Sequence, residues 1–187
     1  MKRLFKLFGV LAFLLVAAGC GQDESTTFSI FIIDNQGDPT SVSQELEQKL
    51  QQKLGEGGTT VEVVASPMYD RSKLLVEYVA GEHDIFILPE EDMRNNGSEG
   101  GNLPLDEYFD KKAYPRGVFE GAIFKPVNKE GQATEETVTE THLYGIPADQ
   151  MALFKDVGYA SSNLFATIPP RTGNLEEAVS VLQALAE

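Results

Sequence analysis

The sequence predicts an α/β domain, a three-layer sandwich built on a mostly parallel, mixed sheet. Three observations carry that expectation. Compact apolar runs rich in β-branched and aromatic residues, "FSIFIID" (28–34), "TVEVVA" (60–65) and "HDIFILPEED" (83–92), suit strands buried on both faces. Between them lie two stretches of helical period. Strand, helix, strand, helix, strand in that order implies parallel neighbours with right-handed connections. The 187 residues, 42% hydrophobic and 24% charged, are enough for one such domain with a sizeable core.

Charge and cysteine content narrow the function classes. A formal charge of −14 argues against a nucleic-acid surface, which needs clustered Lys and Arg. The single Cys excludes an internal disulfide and leaves no Cys-rich zinc site.

That Cys is explained by its surroundings. Lys2, Arg3 and Lys6 form a basic start, and "LFGVLAFLLVAA" (7–18) is an apolar run of secretion-signal length, too short to span a bilayer comfortably. "AAGC" (17–20) resembles a bacterial lipobox, although Ala17 stands where Leu is commoner. Residues 1–19 are therefore expected to be a lipoprotein signal peptide. Cys20 is expected to carry a diacylglyceryl thioether, its acyl chains of the palmitate kind, and residues 20–27 to form the lipidated Cys and a polar tether. Two chains hold a soluble body at the extracytoplasmic face of a cell membrane. Loss of the three basic residues leaves 12 Lys plus Arg against 29 acids, or −17.

The remaining elements follow in order across a single domain, residues 28–187. Asp38 can cap a first helix with Pro39 in its first turn, Val42, Leu46, Leu50 and Leu54 form its apolar stripe, and Gly55 stops it. Asp70 can cap a second helix, with Leu74, Leu75, Tyr78 and Val79 as one apolar face, ended by Gly81. "GGNLPLDEYFD" (100–110) reads as a loop and a short helix. Residues 121–127 and 137–147 read as a hairpin joined by "NKEGQATEE". "NLFATIPP" (163–170) reads as a strand stopped by prolines. Asn174 with Glu177 gives a capping-box pattern before Leu175, Val179, Leu182 and Leu185.

This order of elements resembles one lobe of the extracellular solute-binding proteins that serve ATP-driven (ABC) importers, which in Gram-positive bacteria are commonly lipoproteins. "VAGEHDIFIL" (79–88), "LPLDEY" (103–108), "LYGIP" (143–147) and the closing "LFATIPPRTGNLEEAVSVLQALAE" (164–187) carry the likeness. The resemblance implies a fold like a single lobe of a periplasmic binding protein. In that family a segment like "LYGIP" leads into a second lobe, and the ligand is held between the two. Here only "ADQMALFKDVGYASS" (148–162) separates it from the last strand, enough for a hairpin and not for a lobe. A cleft without a facing wall cannot bury most of a small ligand.

In open α/β sheets ligands sit outside the carboxyl ends of the strands where strand order reverses. Those ends supply the candidate contacts: Asp34, Asn35 and Gln36; Met68, Tyr69 and Asp70; Glu90 and Glu91. Helix N-termini there would favour an anion, but the carboxylates oppose one, so the balance favours a polar or cationic ligand, or another protein. Asp38 and Asp70 read equally well as helix caps, and the glutamates as solvated rim. Asp34, Gln36, Asp38, Thr40 and Glu45 fall in a calcium-loop register, but Pro39 replaces its glycine and a strand precedes it. No hydrolase elbow or zinc-protease pair occurs, His83 and His142 lie far apart, and "NGS" (96–98) reads as a turn.

The expected function is that of a lipid-anchored, non-catalytic binding or accessory protein without a cofactor or metal. The alternative is the substrate-binding component of an importer. A third reading, a hydrolase, would have to use Glu90 with Asp34.

Overall fold

Residues alternate across the interior strand β1 (Phe28–Ile32), and both of its faces are buried. Phe28, Ile30 and Ile32 point into one core, and Phe31 and the following Ile33 into the other. β1 pairs in parallel with β2 (Val61–Ala65) and with β3 (Ile85–Pro89). The structure is a computed structural model that describes residues 27–127 and 133–187. The expected signal peptide, Cys20, nearly all of the expected tether and residues 128–132 of the hairpin loop lie outside the described residues.

The five-stranded sheet has the order β2-β1-β3-β7-β6, with β7 (Leu164–Thr167) antiparallel to both β3 and β6 (Ile146–Pro147). The chain steps from β1 outward to β2 and then back past β1 to β3. With one hand of crossover, that reversal puts the two connecting helices on opposite faces. Leu46 and Leu50 of α1 (Thr40–Leu54) accordingly lie in the larger core, and Leu74 of α2 (Arg71–Ala80) in the smaller. Helices α4 (Ala152–Asp156) and α5 (Leu175–Ala186) join α1, and α3 (Glu90–Ser98) joins α2 through Met93. This is the expected three-layer α/β sandwich with a mixed sheet.

β2 is an edge strand whose outward amides would otherwise be open to pairing. Side chains of α1 take two of them: Val61 donates to Gln51 Oε1 at 3.1 Å and Val63 to Glu47 Oε2 at 2.9 Å. The caps read from sequence are present. Asp70 accepts from the Ser72 amide at 2.7 Å, and Asp38 from that of Thr40 at 3.0 Å. Asn174 accepts from the Glu177 amide, but Glu177 does not complete the box, because its carboxylate accepts from the Thr59 hydroxyl. Gly55 ends α1 with φ of 80° and an extended ψ of 173°, rather than in the left-handed helical region.

Several elements differ from expectation, each for a traceable reason. The buried side of α2 is Leu74 with partly buried Tyr78, while Leu75, Val76 and Val79 face outward. The acidic tail of the third strand is the first turn of α3, where Glu90, Glu91 and Asp92 suit the positive end of the helix dipole, and "NGS" closes that helix. Residues 100–110 form turns and no helix, because the Leu103 and Leu105 amides donate to the Ile168 and Leu143 carbonyls. Residues 148–162, for which the sequence implies only a length, hold a 3₁₀ turn and α4, with Met151, Leu153 and Phe154 buried.

The expected hairpin forms as β4 (Val118–Val127) and β5 (Ala133–Leu143), a separate two-stranded sheet. The predicted strand 137–147 breaks at Tyr144–Gly145, where the chain leaves the hairpin and enters the main sheet as β6. A Cβ on Gly145 would overlap Met93 Sδ, so the glycine of "LYGIP" is required by close approach to α3. Tyr144 is pinned on both sides of that passage, its amide donating to Gly117 and its carbonyl accepting from Thr167 Oγ1.

Candidate functional site

Strand order reverses beside β1, so the crevice between the carboxyl ends of β1 and β3 is where a sheet of this kind offers a ligand site. The chain fills part of it with the segment between β6 and β7. Asp34, only 4% exposed, accepts from Tyr159 Oη at 2.9 Å and from the Gln36 amide at 2.8 Å. Asn35 Oδ1 accepts from Asn163 Nδ2 at 2.8 Å, while the Asn163 carbonyl accepts from the Glu90 amide at 2.8 Å. Asn163 thus ties the end of β1 to the end of β3. A Cβ on Gly37 would lie 2.5 Å from Tyr159 Oη, so the bare backbone there is what admits the phenol. Burial, then the Asp34 hydrogen bond, pushes the Tyr159 hydroxyl well above its ordinary pKa, so it stays a donor.

A concavity of about 330 Å³ remains between Asp34–Gly37 and Gly158–Ser161. It opens widely to solvent and is walled mainly by backbone and small polar groups.

The other candidate residues are spread along the same edge. Asp70 is the cap of α2. Met68 is exposed, and its carbonyl accepts from Ser66 Oγ, which in turn accepts from Lys73 Nζ at 3.2 Å. Tyr69 donates to the buried carboxylate of Asp92 at 3.0 Å, with Arg71 Nε 4.0 Å from the same group. Burial raises the Asp92 pKa, against the opposing pull of Tyr69 and Arg71, and burial with the Asp92 hydrogen bond raises that of Tyr69. Glu90 pairs with Arg94 at 2.8 Å, and Arg94 also donates to the Arg116 carbonyl. Arg116 pairs with Asp149 and lies over the Phe165 ring at 5.4 Å. Glu91 and the Gln36 side chain stay exposed.

The structure therefore brings Asp34, Asn35 and Gln36 together under residues 158–163, and sets Tyr69 with Asp92 as a second cluster. Asp34 and Glu90, the pair a hydrolase would use, each have a different partner. Sequence reasoning missed Tyr159, Asn163, Arg94 and Arg116. The two tie residues lie more than 120 positions beyond Asp34 and Asn35 in a stretch without a motif. The four cations Arg71, Lys73, Arg94 and Arg116 offset the acids that gave the edge its apparent preference for a cationic ligand.

The histidines have separate tasks. His83 is buried, 2.8 Å from Ser29 Oγ and stacked on Phe31. His142 lies 2.7 Å from Asp106 and 3.1 Å from Glu140. Asp38, in the near-calcium register, is occupied by Thr40.

No family model and no curated protein sequence matches the chain. Among solved structures it is similar to an extracellular solute-binding protein family 1 from Alicyclobacillus acidocaldarius, at 17% identity and a TM-score of 0.39, over 65% of this chain and 27% of that one. It is also similar to a TRAP periplasmic solute binding protein from Ochrobactrum anthropi, at 11% identity and a TM-score of 0.36, over 84% of this chain and 73% of that one. The chain thus spans about a quarter of the length of the first. The fold class rests on the sheet topology itself.

Proposed function

We propose that the chain is an extracytoplasmic lipoprotein, anchored through acylated Cys20, with a non-catalytic binding or accessory role exerted at the carboxyl edge of its sheet. The observation that carries this reading is the occupation of the crevice by Tyr159 and Asn163. Their bonds to Asp34 and Asn35 use the polar groups that a solute would otherwise meet, and the concavity left beside them has no facing wall. Such an edge fits a macromolecular partner or a weakly held polar ligand, through Gln36, Met68, Tyr69 and Glu91.

The importer-receptor reading keeps support from one feature. Gln36 and Glu91 are exposed beside the switch point and Met68 farther along the same edge, where a second chain could supply a facing wall.

Expression of the full chain in a Gram-positive host tests the anchor. A mature N-terminal Cys20 bearing a diacylglyceryl mass, in the membrane fraction, is expected. Cys20→Ser should release the protein into the medium. An unmodified thiol would end the anchoring half of the proposal.

A further inference from the structure

A second cavity lies at the opposite end of the sheet. It measures about 460 Å³ and lies between the end of α2, the Gly100–Gly101 turn, β4 and the segment after β7. Its size is that of a small-molecule pocket. Tyr78 and Phe86, stacked at a centroid distance of 4.0 Å, make the floor, and Pro169 makes a side. Two of its walls are large apolar side chains left in water, Val79 at 73% and Phe124 at 58% exposure. Exposed apolar surface gathered around a cavity favours an apolar body inside it.

The rim carries two charges of opposite sign. Arg171 donates from one guanidinium nitrogen to the Val79 carbonyl at 3.3 Å, which holds the group at the mouth, and among the described residues its other donors have no partner. Neither Arg171 nor Glu99 has an oppositely charged partner among the described residues. His83 also borders the cavity, but Ser29 and Glu77 take its two nitrogens. An anion alone would meet Glu99, and a cation alone would meet Arg171. A molecule carrying both charges on an apolar body satisfies both.

We propose that this cavity binds a small apolar zwitterion, an amino acid or short peptide with an aromatic or branched side chain. The side chain lies on Tyr78, Phe124 and Pro169, the carboxylate meets Arg171 and the ammonium meets Glu99. The site is separate from the carboxyl edge and does not depend on the role proposed for that edge.

Calorimetric titration of the full chain tests it with four probes: L-phenylalanine, phenylalanine amide, 3-phenylpropionate and glycine. Millimolar L-phenylalanine is expected to bind. Loss of either ligand charge should weaken binding about three- to fivefold, the scale of one exposed ion pair. Arg171→Gln should abolish the preference over the amide, and Glu99→Gln the preference over phenylpropionate. Phe124→Ala should weaken all three aromatic probes, and Gln36→Ala at the other edge should change nothing. Absence of heat with L-phenylalanine, glycine binding as well as L-phenylalanine, or equal affinities in Arg171→Gln and the parent would each overturn the proposal. Both charge variants are at exposed positions, so their thermal unfolding should match the parent and a null result cannot be assigned to misfolding.

Discussion

Tyr159→Phe removes one oxygen from the tie that holds residues 158–163 over the end of β1. The Asp34 carboxylate, 4% exposed, would keep the Gln36 amide but lose its hydroxyl donor. A hydrogen bond to a charged, poorly solvated acceptor contributes about 1.5–3 kcal/mol, so a loss of about 2 kcal/mol is expected. For a domain of this size that corresponds to a fall in Tm of about 4–8 °C. With a urea m-value of about 2 kcal/mol/M, the midpoint should fall by about 1 M. Combining it with Asp34→Ala in a double-mutant cycle should return a coupling of about 1–2 kcal/mol, since each change removes the same bond. Amide exchange should quicken at 157–163 and stay slow in β1 and β3. A Tm shift under about 1 °C, or strictly additive effects, would show that the tie does not hold the segment.

Gly37→Ala places a methyl 2.5 Å from Tyr159 Oη, so it should destabilise the parent by about 1–2 kcal/mol but much less in the Tyr159→Phe background, as read from urea midpoints. His142 is pulled down by partial burial, yet the hydrogen bonds it donates to Glu140 and Asp106 raise its pKa on balance, so its stabilising contribution is full below about pH 6.5 and is lost as pH rises through the raised value. Asp106 behaves oppositely: burial would raise it, but His142 and Lys111 lower it, so its contribution is lost as pH falls below about 3.8. His142→Gln should therefore flatten the decline in Tm between pH 6 and pH 9, and an unchanged decline would refute the assignment. Leu74→Ala should cost about 3 kcal/mol, whereas Val76→Ser should change stability by less than about 0.5 kcal/mol. Equal costs in urea unfolding would mean that α2 is turned the other way.

The sheet was legible because β1 and β3 are buried on both faces and need unbroken apolar runs, so residues 28–34 and 83–92 stand out, whereas residues 61–65 form an edge strand with Glu62 exposed and not the doubly buried strand expected of 60–65. Asp70 and Asn174 were legible as caps because capping is a local bond. Elements set by distant contacts were not. The outward turn of Leu75 and Val79 is decided by Phe31 and Phe86 beneath α2, and residues 100–110 lose their helix to the Ile168 and Leu143 carbonyls. The candidate edge followed the same division. Asp34, Asn35 and Gln36 could be placed at a strand end from pattern alone, but Tyr159 and Asn163 could not be matched to them. Nothing local marks a tyrosine whose partner is 125 residues away. The rim charges Glu99 and Arg171 likewise come from separate loops and border one cavity only in the fold.

A crystal structure of the full chain grown in saturating polar solutes tests the central claim most directly. Intact bonds from Tyr159 to Asp34 and from Asn163 to Asn35, with any solute at that edge open to water, is the predicted result. A solute walled in between residues 34–37 and 158–163, with those two bonds broken, would contradict the account.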